Sequence, residues 1–119
     1  MVKKVLIFDD EADILEICKL VLESKGLEVT TKLTCTNVLA DVKRVAPDLI
    51  IMDNWIPDIG GVASIKLIKK EPGIAHTPVI LFTANKDIEK LVEQAGADGF
   101  IEKPFDIATL EREVMKKIS

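Results

Sequence analysis

Five polar residues lie within two positions of the end of a short apolar stretch, and their types suggest shared chemistry. They are Asp9, Asp10, Asp53, Thr83 and Lys103. Carboxylates held close together repel one another, which raises their pKa values and favours a bound hard cation. Mg²⁺ suits such a group because it prefers oxygen ligands and keeps several of its waters. If the fold brings these residues together, we expect a magnesium site with a hydroxyl and an ammonium group beside it.

The apolar stretches before these residues predict strands of a parallel sheet. Continuous runs at 5–8, 49–52 and 79–82 are typical of strands buried on both faces. Residues 27–31 alternate in polarity, as an edge strand does, and 99–101 is the weakest strand signal. The carboxyl ends of parallel strands share one edge of the sheet, where ligands bind near the reversal of strand order. This edge would gather the polar residues.

Apolar residues at helical spacing predict a helix after each strand. The expected helices span 11–25, 38–45, 61–70, 88–95 and 107–118. In the first helix, the residues expected to face the core are Ile14, Ile17, Cys18, Val21 and Leu22. Asp106 is placed to cap the amino end of the last helix.

Strand and helix alternate five times in 119 residues, which predicts an α/β fold. We expect a doubly wound parallel (βα)5 sheet that forms one domain over residues 1–119, with no output domain. An (α/β) barrel would need about twice this length. The composition, with 48% hydrophobic and 30% charged residues, excludes a disordered chain.

Composition also limits the partners. The net charge is −4 and no basic run exceeds two residues, so direct nucleic-acid binding is not expected. No apolar stretch approaches the ~18 residues of a membrane span, and the first one is shorter than a signal sequence needs. We expect a cytoplasmic protein whose two cysteines, Cys18 and Cys35, are reduced and structural. His76 is expected to be solvated.

Four short motifs lie at the ends of four of the five predicted strands: Asp9-Asp10, Met52-Asp53 with Pro57 and Gly61 beyond, Thr83-Ala84, and Lys103-Pro104-Phe105. With these motifs, the whole chain resembles the response-regulator receiver domains of bacterial two-component signalling. Stand-alone members in chemotaxis and sporulation relays are similar. The resemblance implies a flavodoxin-like fold with strand order 2-1-3-4-5.

The resemblance implies a role for each motif residue. Asp53 would accept a phosphoryl group from a phosphohistidine on a sensor kinase. Asp10 would hold Mg²⁺ (or Mn²⁺) directly and Asp9 largely through water, with further oxygens from Asp53 and the backbone carbonyl of Trp55. Lys103 would pair with the acceptor carboxylate and then with a phosphoryl oxygen.

Other positions would transmit or tune the signal. Thr83 would move its hydroxyl to the phosphoryl group, and Phe100 would be the switch aromatic that fills the vacated space. Trp55 and Asn85 would flank the route of water to the phosphoryl group and set its lifetime, although Trp55 could simply pack against the protein. Leu15, which with Leu20 widens the apolar stripe of the first helix, would contact the kinase.

The sequence thus predicts a phosphorylated switch that assists its own phosphorylation and dephosphorylation but is not an enzyme for an outside substrate. Its partners would be a sensor histidine kinase or phosphotransfer protein and a downstream protein target. The surface of the fourth helix, fifth strand and fifth helix would read out the state, in a monomer or in a dimer formed on phosphorylation.

Two other functions stay open. One is an interaction module that is never phosphorylated. The other is a small phosphatase with an aspartate nucleophile, which would usually need a second acid two residues after Asp53, where Trp55 stands. The chain also departs from many receiver domains in the turn before the second helix, which reads Leu-Thr-Cys-Thr-Asn at 33–37 instead of containing glycine.

Overall fold

The computed structural model describes residues 2–118, so the two terminal residues of the predicted 1–119 domain lie outside it. Within this range strands and helices alternate as the sequence predicts. The strands are β1 (Lys4–Phe8), β2 (Glu28–Lys32), β3 (Leu49–Asp53), β4 (Val79–Thr83) and β5 (Gly99–Glu102). The helices are α1 (Ala12–Glu23), α2 (Val38–Val45), α3 (Gly61–Lys70), α4 (Ile88–Ala95) and α5 (Ile107–Ile118).

The strands form one parallel sheet with the order β2-β1-β3-β4-β5, which confirms the predicted flavodoxin-like fold. The strand order reverses between β1 and β3, which are neighbours in the sheet. Phe8 at the end of β1 is in register with Met52, and Asp53 is in register with Phe82 of β4. The register therefore brings Asp9 and Asp53 to the same edge, at the reversal where ligands bind in such sheets.

Successive strand residues point to opposite faces of the sheet, and each face has its own apolar core. On one face, Val5 and Ile7 lie in a cluster with residues of α1 and α5. On the other, Leu6 and Phe8 lie in a cluster with residues of α2, α3 and α4. Burial on both faces explains why the central strands are continuously apolar.

The buried face of α1 follows the sequence prediction at Cys18 and Leu22, with Ile14 and Val21 packed against the same cluster, and departs from it at two positions. Leu15, Cys18 and Leu22 are its buried residues, whereas Ile17 is 49% exposed and Leu20 is 74% exposed. The prediction that Leu15 presents an exposed side chain to a kinase is therefore wrong, as is the prediction that Ile17 faces the core. Apolar residues cover so much of this helix that helical spacing fits more than one face, and packing against the sheet and α5 selects one of them.

The predicted cap of α5 is confirmed. The backbone N–H of Thr109 donates to Asp106 Oδ1 at 2.7 Å, and the Leu110 N–H donates to the Asp106 carbonyl at 3.2 Å. The Thr109 backbone and side chain stabilise the ionised carboxylate, so the pKa of Asp106 lies below its ordinary value of 3.8.

Because the folded pKa of Asp106 is lowered, the stabilisation from its charge is present above pH 3.8 and is lost as the pH falls through the folded value. We predict that Asp106→Ala lowers the melting temperature near neutral pH and that this difference shrinks below pH 3.8. Asp106→Asn keeps a capping oxygen without the charge, so it isolates the contribution of the charge. Thermal unfolding followed by circular dichroism measures both; a deficit of Asp106→Ala that grows in acid would contradict the assignment.

Candidate functional site

Asp9 directly follows β1 and is fully buried. Its Oδ1 accepts a hydrogen bond from the Glu11 N–H at 2.9 Å, and its Oδ2 accepts one from Lys103 Nζ at 2.8 Å. Its own N–H donates to the Lys32 carbonyl at 3.0 Å, beside the end of β2. A buried carboxylate is stable only with such partners, so the position of Asp9 depends on both neighbouring segments.

Asp53 is the last residue of β3 and is 3% exposed. Its Oδ1 accepts a hydrogen bond from Lys103 Nζ at 2.8 Å, and its Oδ2 accepts one from the Trp55 N–H at 3.1 Å. Lys103 Nζ also lies 3.6 Å from a carboxylate oxygen of Glu11. One ammonium group therefore bridges the two buried aspartates, with a more exposed acid beside them.

Burial affects the pKa values of both Asp53 and Lys103. Loss of water is the main cause that raises the pKa of Asp53, the hydrogen bond from Lys103 opposes it, and the charge of Asp9 raises it further. Burial works against the charged form of Lys103 as well, but its hydrogen bonds to Asp53 and Asp9 outweigh this and raise its pKa. Lys103 is therefore a cation at neutral pH, and an additional cation would stabilise the ionised form of Asp53.

Asp9, Asp10 and Asp53 offer carboxylate oxygens that all lie within 4.8 Å of one another. Asp10 is exposed, whereas Asp9 and Asp53 are buried. A set of hard oxygen donors with one side open to solvent fits Mg²⁺, which binds through a few carboxylates and keeps several waters. The residues present therefore fit the predicted ion.

Thr83 and Asn85 form a turn at the end of β4. Thr83 is 1% exposed, and its hydroxyl accepts a hydrogen bond from the Asn85 N–H at 2.9 Å. The Thr83 carbonyl accepts one from the Lys103 N–H at 2.9 Å, which joins β4 to the segment after β5. The Lys103–Pro104 peptide bond is cis.

Aromatic residues near the site differ in exposure. Phe82 and Phe105 pack with ring centroids 5.1 Å apart, and Lys103 Nζ lies 5.7 Å from the Phe82 ring centre. Phe100 is 42% exposed, so it points outward in this state. Trp55 is 72% exposed, so a core packing role for this residue is excluded.

The structure explains why position 61 holds a glycine, which the motif alone did not reveal. A Cβ atom at this position would lie 2.2 Å from the Asp53 carbonyl oxygen and 2.9 Å from the Asn54 Cα. The Gly61 N–H donates to the Asn54 carbonyl at 3.0 Å, so α3 begins directly against the backbone that follows Asp53. Spacing alone carries no signal for such a close approach.

The family model for the response regulator receiver domain matches residues 5–115, which include all the site residues above. The chain belongs to this family. Members are signalling proteins of two-component systems rather than classical enzymes. They bind Mg²⁺ at an acidic pocket and interact with histidine kinases or phosphotransfer proteins.

Relatives show how much of a longer protein a receiver domain occupies. The chain is 32% identical over 124 residues to the phosphate regulon transcriptional regulatory protein PhoB of Klebsiella pneumoniae, covering 100% of this chain and 54% of PhoB. It is 29% identical over 107 residues to the DNA-binding response regulator MtrA of Mycolicibacterium paratuberculosis, covering 88% of this chain and 46% of MtrA. The receiver domain thus spans about half the length of these relatives.

Solved structures of similar size match the fold. A putative response regulator from Chloroflexus aurantiacus superposes with a TM-score of 0.92 at 28% identity, covering 99% of this chain and 98% of that one. The chemotaxis response regulator CheY4 of Vibrio cholerae gives 0.90 at 28% identity, with 98% of both chains covered. Within residues 2–118, no helix of this receiver domain has the length and apolarity to cross a membrane.

We predict that Gly61→Ala lowers the free energy of unfolding by about 1–3 kcal/mol, because the added methyl group meets backbone that cannot easily move. Gly99→Ala is the matched control, since the nearest atom to a Cβ there is in the flexible end of Lys117 at 3.2 Å, and Ile80 Cγ1 lies at an ordinary contact distance of 4.0 Å. Urea unfolding of both variants measures the difference. Equal stabilities of the two variants would contradict the assignment of Gly61.

Proposed function

We propose that this receiver domain is a phosphoryl-accepting switch in which Asp53 takes the phosphoryl group from a phosphohistidine of a sensor kinase or phosphotransfer protein. The observation that carries the proposal is the bridge from Lys103 Nζ to Asp9 and Asp53, at 2.8 Å to each, beside a cluster of carboxylate oxygens within 4.8 Å of one another. A buried nucleophile, a fixed cation and an oxygen-rich cation site are the parts that phosphoryl transfer needs.

The transfer is a displacement at phosphorus. An Asp53 carboxylate oxygen forms the bond to phosphorus while the bond to the histidine nitrogen breaks, and the imidazole leaves with the electron pair. Asp9, Asp10, Asp53 and the Trp55 carbonyl would hold Mg²⁺, which when bound supplies positive charge to the phosphoryl oxygens. Lys103 would exchange its Asp53 partner oxygen for a phosphoryl oxygen. Its Nζ lies 2.8 Å from Asp53 Oδ1 and is therefore beside the transferred group.

The phosphoryl group adds about 1.5–2 negative charges and new acceptor oxygens at the edge of the sheet. Thr83 is buried next to this place and has a hydroxyl proton to donate, although its oxygen now accepts from the Asn85 N–H. Movement of Thr83 vacates space that Phe100, now 42% exposed, can enter. The surface of α4, β5 and α5 would then differ between states and select a downstream protein target or a second copy of the chain.

The phosphodonor would cover the apolar surface beside the site. A groove of about 810 Å³ lies next to Lys103 and is lined by apolar side chains that include Ile14, Ile17, Phe105 and Ile107. Because the donor histidine must reach Asp53, its helix must cover this part of the surface. Ile17 and Leu20 take the place of Leu15 as exposed candidates for that contact.

Fluorescence of Trp55, which follows the acceptor by two residues and is largely exposed, tests the proposal. We predict that Mg²⁺ and a phosphoryl mimic change this fluorescence and that Asp53→Asn abolishes the response to the mimic. Glu16→Gln, which removes an exposed acid outside the carboxylate cluster, should respond as the native chain does. Two results together would favour the unphosphorylated module. The native chain would accept no phosphoryl group from any donor, and the Asp53→Asn variant would keep the biological activity.

Protons should compete with the cation. Because burial raises the pKa of Asp53 above 3.8, we predict that Mg²⁺ affinity falls as the pH is lowered towards that raised value. Titration calorimetry at several pH values measures this. Affinity that is constant down to pH 3.8 would contradict a role for Asp53 as a ligand.

The exposed Trp55 side chain is expected to shield the phosphoryl group from water. We predict that Trp55→Ala accelerates the loss of the phosphoryl group from the isolated phosphorylated protein. Ile59→Ala is the control, since Ile59 is 51% exposed and lies on the same loop. Decay of the phosphorylated species is the measurement, and an unchanged rate for Trp55→Ala would refute shielding.

A further inference from the structure

The loop between β3 and α3, residues 54–60, carries the Trp55 carbonyl that the proposed function assigns to the cation. The start of this loop is held where the Asn54 N–H donates to the Phe82 carbonyl at 2.9 Å and the Asn54 carbonyl accepts from the Gly61 N–H at 3.0 Å. The Trp55 side chain is 72% exposed and offers no anchor in the core. The backbone after Trp55 therefore needs another support.

Cys35, in the turn between β2 and α2, supplies this support. Its Sγ accepts a hydrogen bond from the Asp58 N–H at 3.1 Å and lies 3.9 Å from the Ile56 carbonyl oxygen, to which the thiol donates. Its backbone N–H donates to the Pro57 carbonyl. Three consecutive residues of the loop are thus bound to this one cysteine.

Burial makes this contact rigid. Cys35 and Ile56 are both 1% exposed and belong to the same apolar cluster as Phe8 and Met52. These two residues directly precede Asp9 and Asp53 in the chain. Thr36 adds a tie at the surface, where its hydroxyl donates to Asp58 Oδ2 at 3.2 Å. The turn at 33–37 and the loop at 54–60 are therefore joined both inside the core and at its edge.

We propose that Cys35 is a positioning residue of the cation site, acting through the loop on the Trp55 carbonyl; this rests on the proposed function. The Trp55 carbonyl shares a peptide plane with the Ile56 nitrogen, so a support that fixes the backbone of 56–58 limits the rotation of that plane. Mg²⁺ demands near-ideal octahedral geometry, so a ligand that is free to rotate binds it less well. Groups that orient ligands in this way typically change metal affinity by 10–100-fold.

The experiment compares Mg²⁺ affinity of the full chain by titration calorimetry in three variants. Cys35→Val keeps an apolar side chain but removes the hydrogen bonds of the thiol, and we expect affinity to fall by about tenfold, at the low end of such effects. Cys35→Ser keeps a donor and an acceptor and should retain most of the native affinity. Val42→Ala is the control for packing, since Val42 is fully buried in the same cluster and should lower stability while leaving Mg²⁺ affinity unchanged.

Native affinity in a folded Cys35→Val, or an equal loss in Val42→Ala, overturns the inference and assigns Cys35 to packing alone. Absence of Mg²⁺ binding to the native chain would instead overturn the proposed function. If Cys35→Val does not fold, amide hydrogen exchange of the native chain decides: slow exchange at Asp58 supports the thiol as its acceptor, and exchange as fast as in an unstructured peptide contradicts it.

Discussion

One constraint governs this molecule: carboxylates must be held together at the end of a parallel sheet although they repel one another. Asp9 and Asp53 are buried, and the Lys103 ammonium group makes that burial tolerable by donating to both at 2.8 Å. Removal of a single partner from such a set would leave a buried charge uncompensated. The same arrangement still carries more negative than positive charge, which is why it suits an additional cation.

The fold is arranged around that constraint. The reversal of strand order places β1 and β3 side by side, so the residues after both strands meet at one edge. The apolar layers on the two faces support the strand ends, and Gly61 at the start of α3 lets the helix backbone approach the backbone of Asp53 within contact distance. Lys103 directly follows β5 at the edge of the sheet, and its backbone N–H donates to the Thr83 carbonyl at the end of β4.

This geometry also explains how a local charge could act at a distance. Thr83, Lys103 and Asp53 belong to three different strand ends, and hydrogen bonds connect two of these pairs directly. A new anion at Asp53 would compete for Lys103, whose Nζ already donates to Asp53 and Asp9, and the backbone N–H of Lys103 is bonded in turn to the Thr83 carbonyl. In the proposed function, the exposed Phe100 and the surface of α4, β5 and α5 respond to that change.

The amino-acid sequence by itself determined the order of elements and the parallel sheet, because apolar runs and helical spacing are local patterns. The polar residues that it places at strand ends include Asp9, Asp53 and Lys103, which the fold brings together. The bounds of α2, α3, α4 and α5 agree with the sequence prediction. Only the tertiary structure decided which face of α1 is buried, since the apolar residues around Leu15 and Ile17 fit more than one face until the helix packs on the sheet. It also decided that Trp55 is exposed and that Cys35 is hydrogen-bonded to Ile56 and Asp58, because such contacts need segments about twenty residues apart in the chain to be brought together.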